Sequence, residues 1–170
     1  MNKTEIIATL QSTITEFQEL ISSFDKAQLN AVPFEGSWTP GQVAQHIIMA
    51  NSGFGEVLNG PVIDTERAPD ELQEKIKRDF LNFDIKMKSP DFILPKMKEY
   101  DKERLLKALD GIKEDISKAI MDLDLTQTCL AFELPVYGRL TRFEAVYFAN
   151  YHTQRHAHQL KNIRNHYSKN

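Results

Sequence analysis

The sequence predicts an all-α chain, folded as an antiparallel four-helix bundle with an extra short helix and irregular connections. Three observations predict it. Apolar residues recur at steps of three and four through most of the chain, the spacing of helices with one buried face. Two helix starts carry complete capping boxes, Thr39 with Gln42 and Thr141 with Glu144, in which each side chain bonds the other residue's free backbone N–H. Prolines fall at the edges of the periodic stretches or between them, where a missing N–H does least harm.

The first helix is expected from about Thr4 to Phe24, because Ile6, Leu10, Ile14, Phe17, Ile21 and Phe24 share one face. Asp25 to Trp38 reads as a connector broken by Pro33 and Gly36. The second helix starts at Thr39, with Pro40 at its first position, and ends at Gly60-Pro61. Its apolar stripe is Val43, Ala50, Phe54 and Val57, with His46 among them.

Asp70 to Phe80 forms a third, shorter helix, charged on most faces and preceded by Pro69. Phe83 to Pro95, with Ser89-Pro90 and Leu94-Pro95, is an irregular connection. The fourth helix runs from Asp101 to Leu123 on a stripe of Leu105, Leu109, Ile112, Ile116, Ala119 and Leu123. Asp124 to Leu140 is a further connection, with Phe132 to Tyr137 as extended chain over the bundle end. The last helix starts at Thr141 and runs to about His166. Four long amphipathic helices bury their stripes most simply against one another.

The chain of 170 residues is a usual size for one domain, taken here as 1–170. With 21 basic and 24 acidic residues its net charge of -3 is too balanced for a nucleic-acid footprint or an anionic membrane surface. No apolar run approaches the roughly 20 residues of a membrane span. The first residues hold no apolar stretch of a secretory leader, and the single Cys129 allows no internal disulfide. The expectation is a cytoplasmic protein without nucleic-acid or membrane partners.

Chemistry is concentrated in histidines. Ala145, Phe148, His152, His156, Gln159 and Ile163 follow helical steps on the last helix, and His46 lies on the inward stripe of the second. A buried imidazole needs partners for both nitrogens, and one ion satisfies three imidazoles at once. His152 and His156, one turn apart, converge on one point, with His46 closing the triangle from the facing helix. Three neutral ligands leave coordination positions open, as in catalytic sites. The plainer alternative is a histidine pair on a solvated face.

His158 points about 200° around the helix from the ligand stripe and reads as surface or interface. His166, near the C-terminus, complements the helix dipole. Gln159 either orients a ligand or makes an ordinary polar core contact, and Gln42 has the same choice with capping as its simpler role.

The stretch from Trp38 to His46 (Trp-Thr-Pro-Gly-Gln-Val-Ala-Gln-His) and that from Tyr151 to Leu160 (Tyr-His-Thr-Gln-Arg-His-Ala-His-Gln-Leu) resemble two separated motifs of the DinB-like superfamily, the DinB/YfiT-like metalloenzymes. Many relatives carry histidine at the position of Arg155, which is not one of the usual three ligands. The resemblance covers nearly the whole chain. It implies a bundle with a three-histidine site for a divalent metal ion, often nickel, zinc, iron or manganese, and commonly a homodimer. Some relatives are S-transferases that use a low-molecular-weight thiol; others isomerise maleylpyruvate.

The leading expectation is therefore a metal-dependent thiol S-transferase acting on a small electrophilic substrate, with His46, His152 and His156 as ligands. Arg155 or Tyr151 would then contact an anionic substrate, although both lie off the ligand stripe. A metal-dependent hydrolase is the alternative, with Glu133 as a candidate base or simply a surface glutamate. A non-catalytic, stress-associated metal-binding dimer is the third reading. Cys129, beside Leu130, is more often buried filler than nucleophile.

Overall fold

The computed structural model describes residues 2–169. Its helices are α1 (Lys3–Ser22), α2 (Lys26–Asn30), α3 (Pro40–Ser52), α4 (Phe54–Asn59), α5 (Gln73–Phe80), α6 (Lys102–Asp122) and α7 (Arg142–Tyr167). A single 3-10 turn spans Asp91–Ile93. Three strands, β1 (Val62–Ile63), β2 (Thr128–Leu134) and β3 (Gly138–Thr141), complete the order.

Four helices make the bundle. α1 packs on α6 and α7, and α3 packs on the same two. The stripe of α1 is buried throughout, from Ile6 to Phe24. On α6, Leu105, Leu109, Ile112, Ile116 and Ala119 are buried as the periodicity predicts, while Leu123 is only partly covered. The charged α5 buries Ile76 alone among its residues and lies on α7.

The structure differs from the sequence reading in four places. First, beside the expected helical bundle the chain carries a small sheet, in which β1, β2 and β3 pair antiparallel in that order. The 124–140 connection is a hairpin, and its alternation was hidden by a register irregularity between Thr128 and Glu133. Second, the expected second helix breaks at Gly53 into α3 and α4. The stripe shifts with that break, so that Ile47 and Leu58 are buried while Ala50 and Val57 are half-buried. Third, the connector after α1 contains α2, started by a capping box of Asp25 and Gln28. Fourth, the third helix begins at Gln73, three residues later than expected.

Two local features position the site. Gly41, in the first turn of α3, lets Tyr100 come close: a Cβ there would stand 2.9 Å from the tyrosine ring. That seats the turn between Trp38 and His46. At the other end, β3 feeds directly into α7 through Thr141, whose backbone N–H donates to Glu144 Oε2 at 3.0 Å. Glu144 also takes two 2.6 Å bonds from Arg67, so the start of α7 is locked by a part-buried ion pair.

Candidate metal centre

α3 and α7 face each other and bring His46, His152 and His156 together. Each offers one ligand atom, and these atoms lie within 4.8 Å of one another. Both expected capping boxes are present, Thr39 with Gln42 on α3 and Thr141 with Glu144 on α7. They fix where each helix begins and so the height at which the histidines meet. His46 and His152 are buried and His156 is partly buried. The deepest face of α7 is Ala149, Thr153, Ala157, Leu160 and Ile163. The histidine stripe runs beside that face, at the rim of the core.

The hydrogen bonds define the tautomers. His46 Nδ1 donates to the carbonyl of Ile93 at 2.9 Å. A carbonyl only accepts, so the Nε2 of His46 carries a free lone pair. His156 Nδ1 donates to Gln159 Oε1 at 2.8 Å, which frees its Nε2 in the same way. The Nε2 atoms of His46 and His152 stand 3.1 Å apart, so the proton between them belongs to His152. The other nitrogen of His152, Nδ1, is buried and has no hydrogen-bond partner among the described residues.

Burial pushes all three imidazoles below their ordinary pKa, His156 to about 3. For His152 the neighbouring His156, His46 and Arg155 add to that effect. For His46 the bond to Ile93 partly opposes it. Three neutral rings are the protonation state that metal ligation requires.

Fit to a divalent ion follows from these contacts. Two imidazoles on one ion, with metal–nitrogen bonds of about 2.0–2.1 Å, stand about 3 Å apart. That is the separation of the two Nε2 atoms. The second nitrogens of His46 and His156 are held by a backbone carbonyl and an amide oxygen, the partners that ligating histidines usually have. Only His152 must move its proton, from Nε2 to Nδ1. Among the described residues no cysteine or carboxylate joins this cluster.

Aromatic rings enclose the cluster. Trp38 lies 5.1 Å from His46 and 6.4 Å from His156, nearly parallel to the latter. Phe80 and Phe148 flank His152 at 5.8 and 5.6 Å.

The remaining sequence candidates divide clearly. Gln159 bonds a histidine of the cluster, and Gln42 caps α3 while its amide reaches the carbonyl of Pro95 at 3.4 Å. Arg155 donates to the carbonyls of Phe80, Asn82 and Ile85, so it fastens the segment after α5 rather than offering an anion site. Tyr151 is buried and bonds Gln73. Glu133 is exposed and pairs with Arg139 across the hairpin. Cys129 is buried, and burial raises its thiol pKa. His158 stacks on Phe83 at 4.0 Å. His166 meets Phe34 edge-on.

Sequence reasoning missed the carbonyl of Ile93 and the ion pair of Arg67. The first leaves no signal in side-chain identity. The second had half a signal, in the Glu144 of the capping box.

The sequence profile of the DinB superfamily matches residues 9–160. TT2238, described as a four-helix bundle protein, superposes with a TM-score of 0.61 at 21% identity, covering 95% of this chain and 99% of its own. YfiT from Bacillus subtilis, described as a probable metal-dependent hydrolase with an unusual four-helix bundle topology, gives 0.61 at 16% identity, over 96% and 86%. At such identities the two structures speak to the fold. No functionally curated protein matches the chain. Among the described residues no helix is long and apolar enough to cross a membrane.

Proposed function

The chain belongs to the DinB superfamily, and on that premise we propose that it is a divalent-metal-dependent enzyme whose ion is held by His46, His152 and His156. One observation carries this reading: three neutral imidazoles meet at the rim of the core, two with their Nε2 atoms 3.1 Å apart. A divalent ion there would supply a Lewis acid that lowers the pKa of a thiol or water. The chain's own residues do the rest. The Ile93 carbonyl and Gln159 hold two rings in the tautomer that leaves Nε2 free, and with an ion bound His152 would carry its proton on Nδ1. Trp38, Phe80 and Phe148 keep water from the buried side of the cluster.

The reaction we propose is transfer of a low-molecular-weight thiol to a small electrophile, in the cytoplasm where such thiols stay reduced. The all-imidazole cluster supports it. A thiol, with a pKa near 8.5, needs less help to ionise than water does, and among the described residues no carboxylate joins the cluster as a base. Metal-dependent hydrolysis is the second reading, favoured by the description of YfiT. Glu133 does not serve it, being exposed and paired with Arg139.

Metal analysis and melting curves with zinc, nickel and manganese test the centre. One equivalent of metal per chain and a raised Tm are expected, both lost in His152→Ala. Conjugation of cysteine to 1-chloro-2,4-dinitrobenzene, compared with hydrolysis of 4-nitrophenyl acetate, separates transferase from hydrolase. Bound metal with neither reaction would leave a metal-stabilised, non-catalytic protein.

A further inference from the structure

The three histidines stand on two helices, and a further piece of chain ties those helices together. After α5 the chain runs from Leu81 to Pro95 with the 3-10 turn as its one regular element. Among the described residues of 82–94 none is fully buried; Ser89 and Ile93 are half-buried and the others are exposed. Such a stretch gains little from apolar burial, so its order rests on the few contacts that hold it.

Those contacts lie at its two ends. At the first, Arg155 of α7 donates to the carbonyls of Phe80 at 3.1 Å, Asn82 at 2.8 Å and Ile85, and Phe83 stacks on His158 of the same helix. At the second, the 3-10 turn packs on α3. There the Ile93 carbonyl accepts from His46 and the Pro95 carbonyl from Gln42. Among the described residues, the hydrogen bonds that tie 82–94 to the rest of the chain come from Arg155 and His46 alone. Arg155 adjoins His156 in sequence but leaves the helix about 100° away from it. It therefore grips the segment from the flank of α7, outside the ligand cluster. A planar guanidinium with five donors is suited to holding several carbonyls at once.

We propose that 82–94 is a strap whose order is coupled to the ion, and that Arg155 is the positioning residue that sets it. Arg155 pins the strap to the helix that carries His152 and His156, and the strap presents the Ile93 carbonyl to His46 on α3. An ion on Nε2 of His46 would draw charge from the ring and strengthen the Nδ1–H bond to that carbonyl. The strap is then tighter in the loaded protein, and by linkage a loosened strap weakens ion binding. This coupling rests on the metal reading above and extends it to residues outside the ligand set.

The charge of Arg155 makes two roles separable. That charge opposes a proton on His152 and His156, and it would oppose a bound cation in the same way. As a neighbouring charge only, Arg155 weakens zinc binding, and its removal tightens it. As the pin of the strap, its removal loosens zinc.

Zinc affinity is measured by competition with a chromophoric chelator, and amide exchange of 82–94 by mass spectrometry, in the wild type, Arg155→Met and Arg155→Lys. In the wild type, zinc should slow the fast-exchanging amides of 82–94 at least fivefold; such amides report local opening, not global unfolding. Arg155→Met should bind zinc at least fivefold more weakly and lose that slowing. Arg155→Lys, which keeps a cationic donor, should recover part of both. Should the methionine variant fail to fold, Phe83→Ala, a change at an exposed position on the same end of the strap, should weaken zinc at least twofold. Equal or tighter zinc binding by the variant used, or strap exchange that zinc leaves unchanged, overturns the proposal and leaves the metal centre standing. A wild type that binds no zinc overturns both.

Discussion

Glu144 and His152 lie roughly two turns apart on one helix, both buried, and their surroundings are completed to different degrees. Glu144 receives both arms of Arg67, the backbone N–H of Leu72 at 2.8 Å and that of Thr141 at 3.0 Å. Both of its oxygens are occupied. His152 shares one proton with His46, and its other nitrogen has no partner among the described residues. A buried polar group that is fully matched serves the fold. His152 is matched less completely, and the Nε2 that faces the other two rings, not the unpartnered Nδ1, is the atom an ion would use.

Four experiments break or sharpen that contrast. The largest effect is expected from Glu144→Gln, which leaves Arg67 without its carboxylate. We expect a loss of about 3 kcal/mol in urea unfolding, with unchanged zinc stoichiometry in the folded fraction. A loss under about 1 kcal/mol would mean that the matched cluster is not what secures α7.

Acid comes second. The folded state keeps His156 neutral down to about pH 3, whereas an unfolded histidine binds its proton near 6.5. Stability of the metal-free protein is therefore full above about 6.5 and falls as the pH drops towards 3, because only the unfolded state takes up the proton. Between pH 7 and 5 this amounts to about 2 kcal/mol for His156 alone, measurable by urea unfolding in a chelator. A flat profile would show that the ring is solvated.

Gln159→Ala comes next. Losing the acceptor on His156 Nδ1 should weaken zinc binding about 10–100-fold, read by competition with a chromophoric chelator. Gln159→Glu, which keeps an acceptor there, should restore it. Unchanged affinity in the alanine variant would assign Gln159 to packing.

The smallest effect, and the most pointed, is His152→Leu. Leucine removes the unmatched Nδ1 but also the partner of His46 Nε2, so the stability of the metal-free protein should change by less than about 1 kcal/mol while zinc binding is abolished. A larger loss would place His152 with Glu144, as part of the framework.

What was legible in the sequence follows the same division. Helix starts were readable because Thr39, Gln42, Thr141 and Glu144 act through their own side chains at fixed spacing. The three histidines were readable because helical steps place them on facing stripes. The hairpin was not, since its strands are short and Cys129 to Leu134 pass through an irregular register. Val136, with φ of 77° in the tight turn closed by Tyr137 N–H to the Leu134 carbonyl, gives no turn signal at all. A β-branched residue is the last expected there. The partner of Glu144 was invisible because an arginine in a loop, such as Arg67, looks like any other surface charge. The seam of α7 was misjudged by one position, because Ala149, Thr153 and Ala157 are small and carry little apolar weight in a periodicity count.

The grip on His46 comes from a main-chain oxygen, that of Ile93, and this has an evolutionary consequence. Every amino acid brings the same carbonyl, so no point substitution can delete it. Neighbouring exposed side chains such as Phe92 and Leu94 are free to drift through single codon changes while the ring beneath keeps its orientation. A scaffold wired in this way can diversify its chemistry without re-inventing its centre.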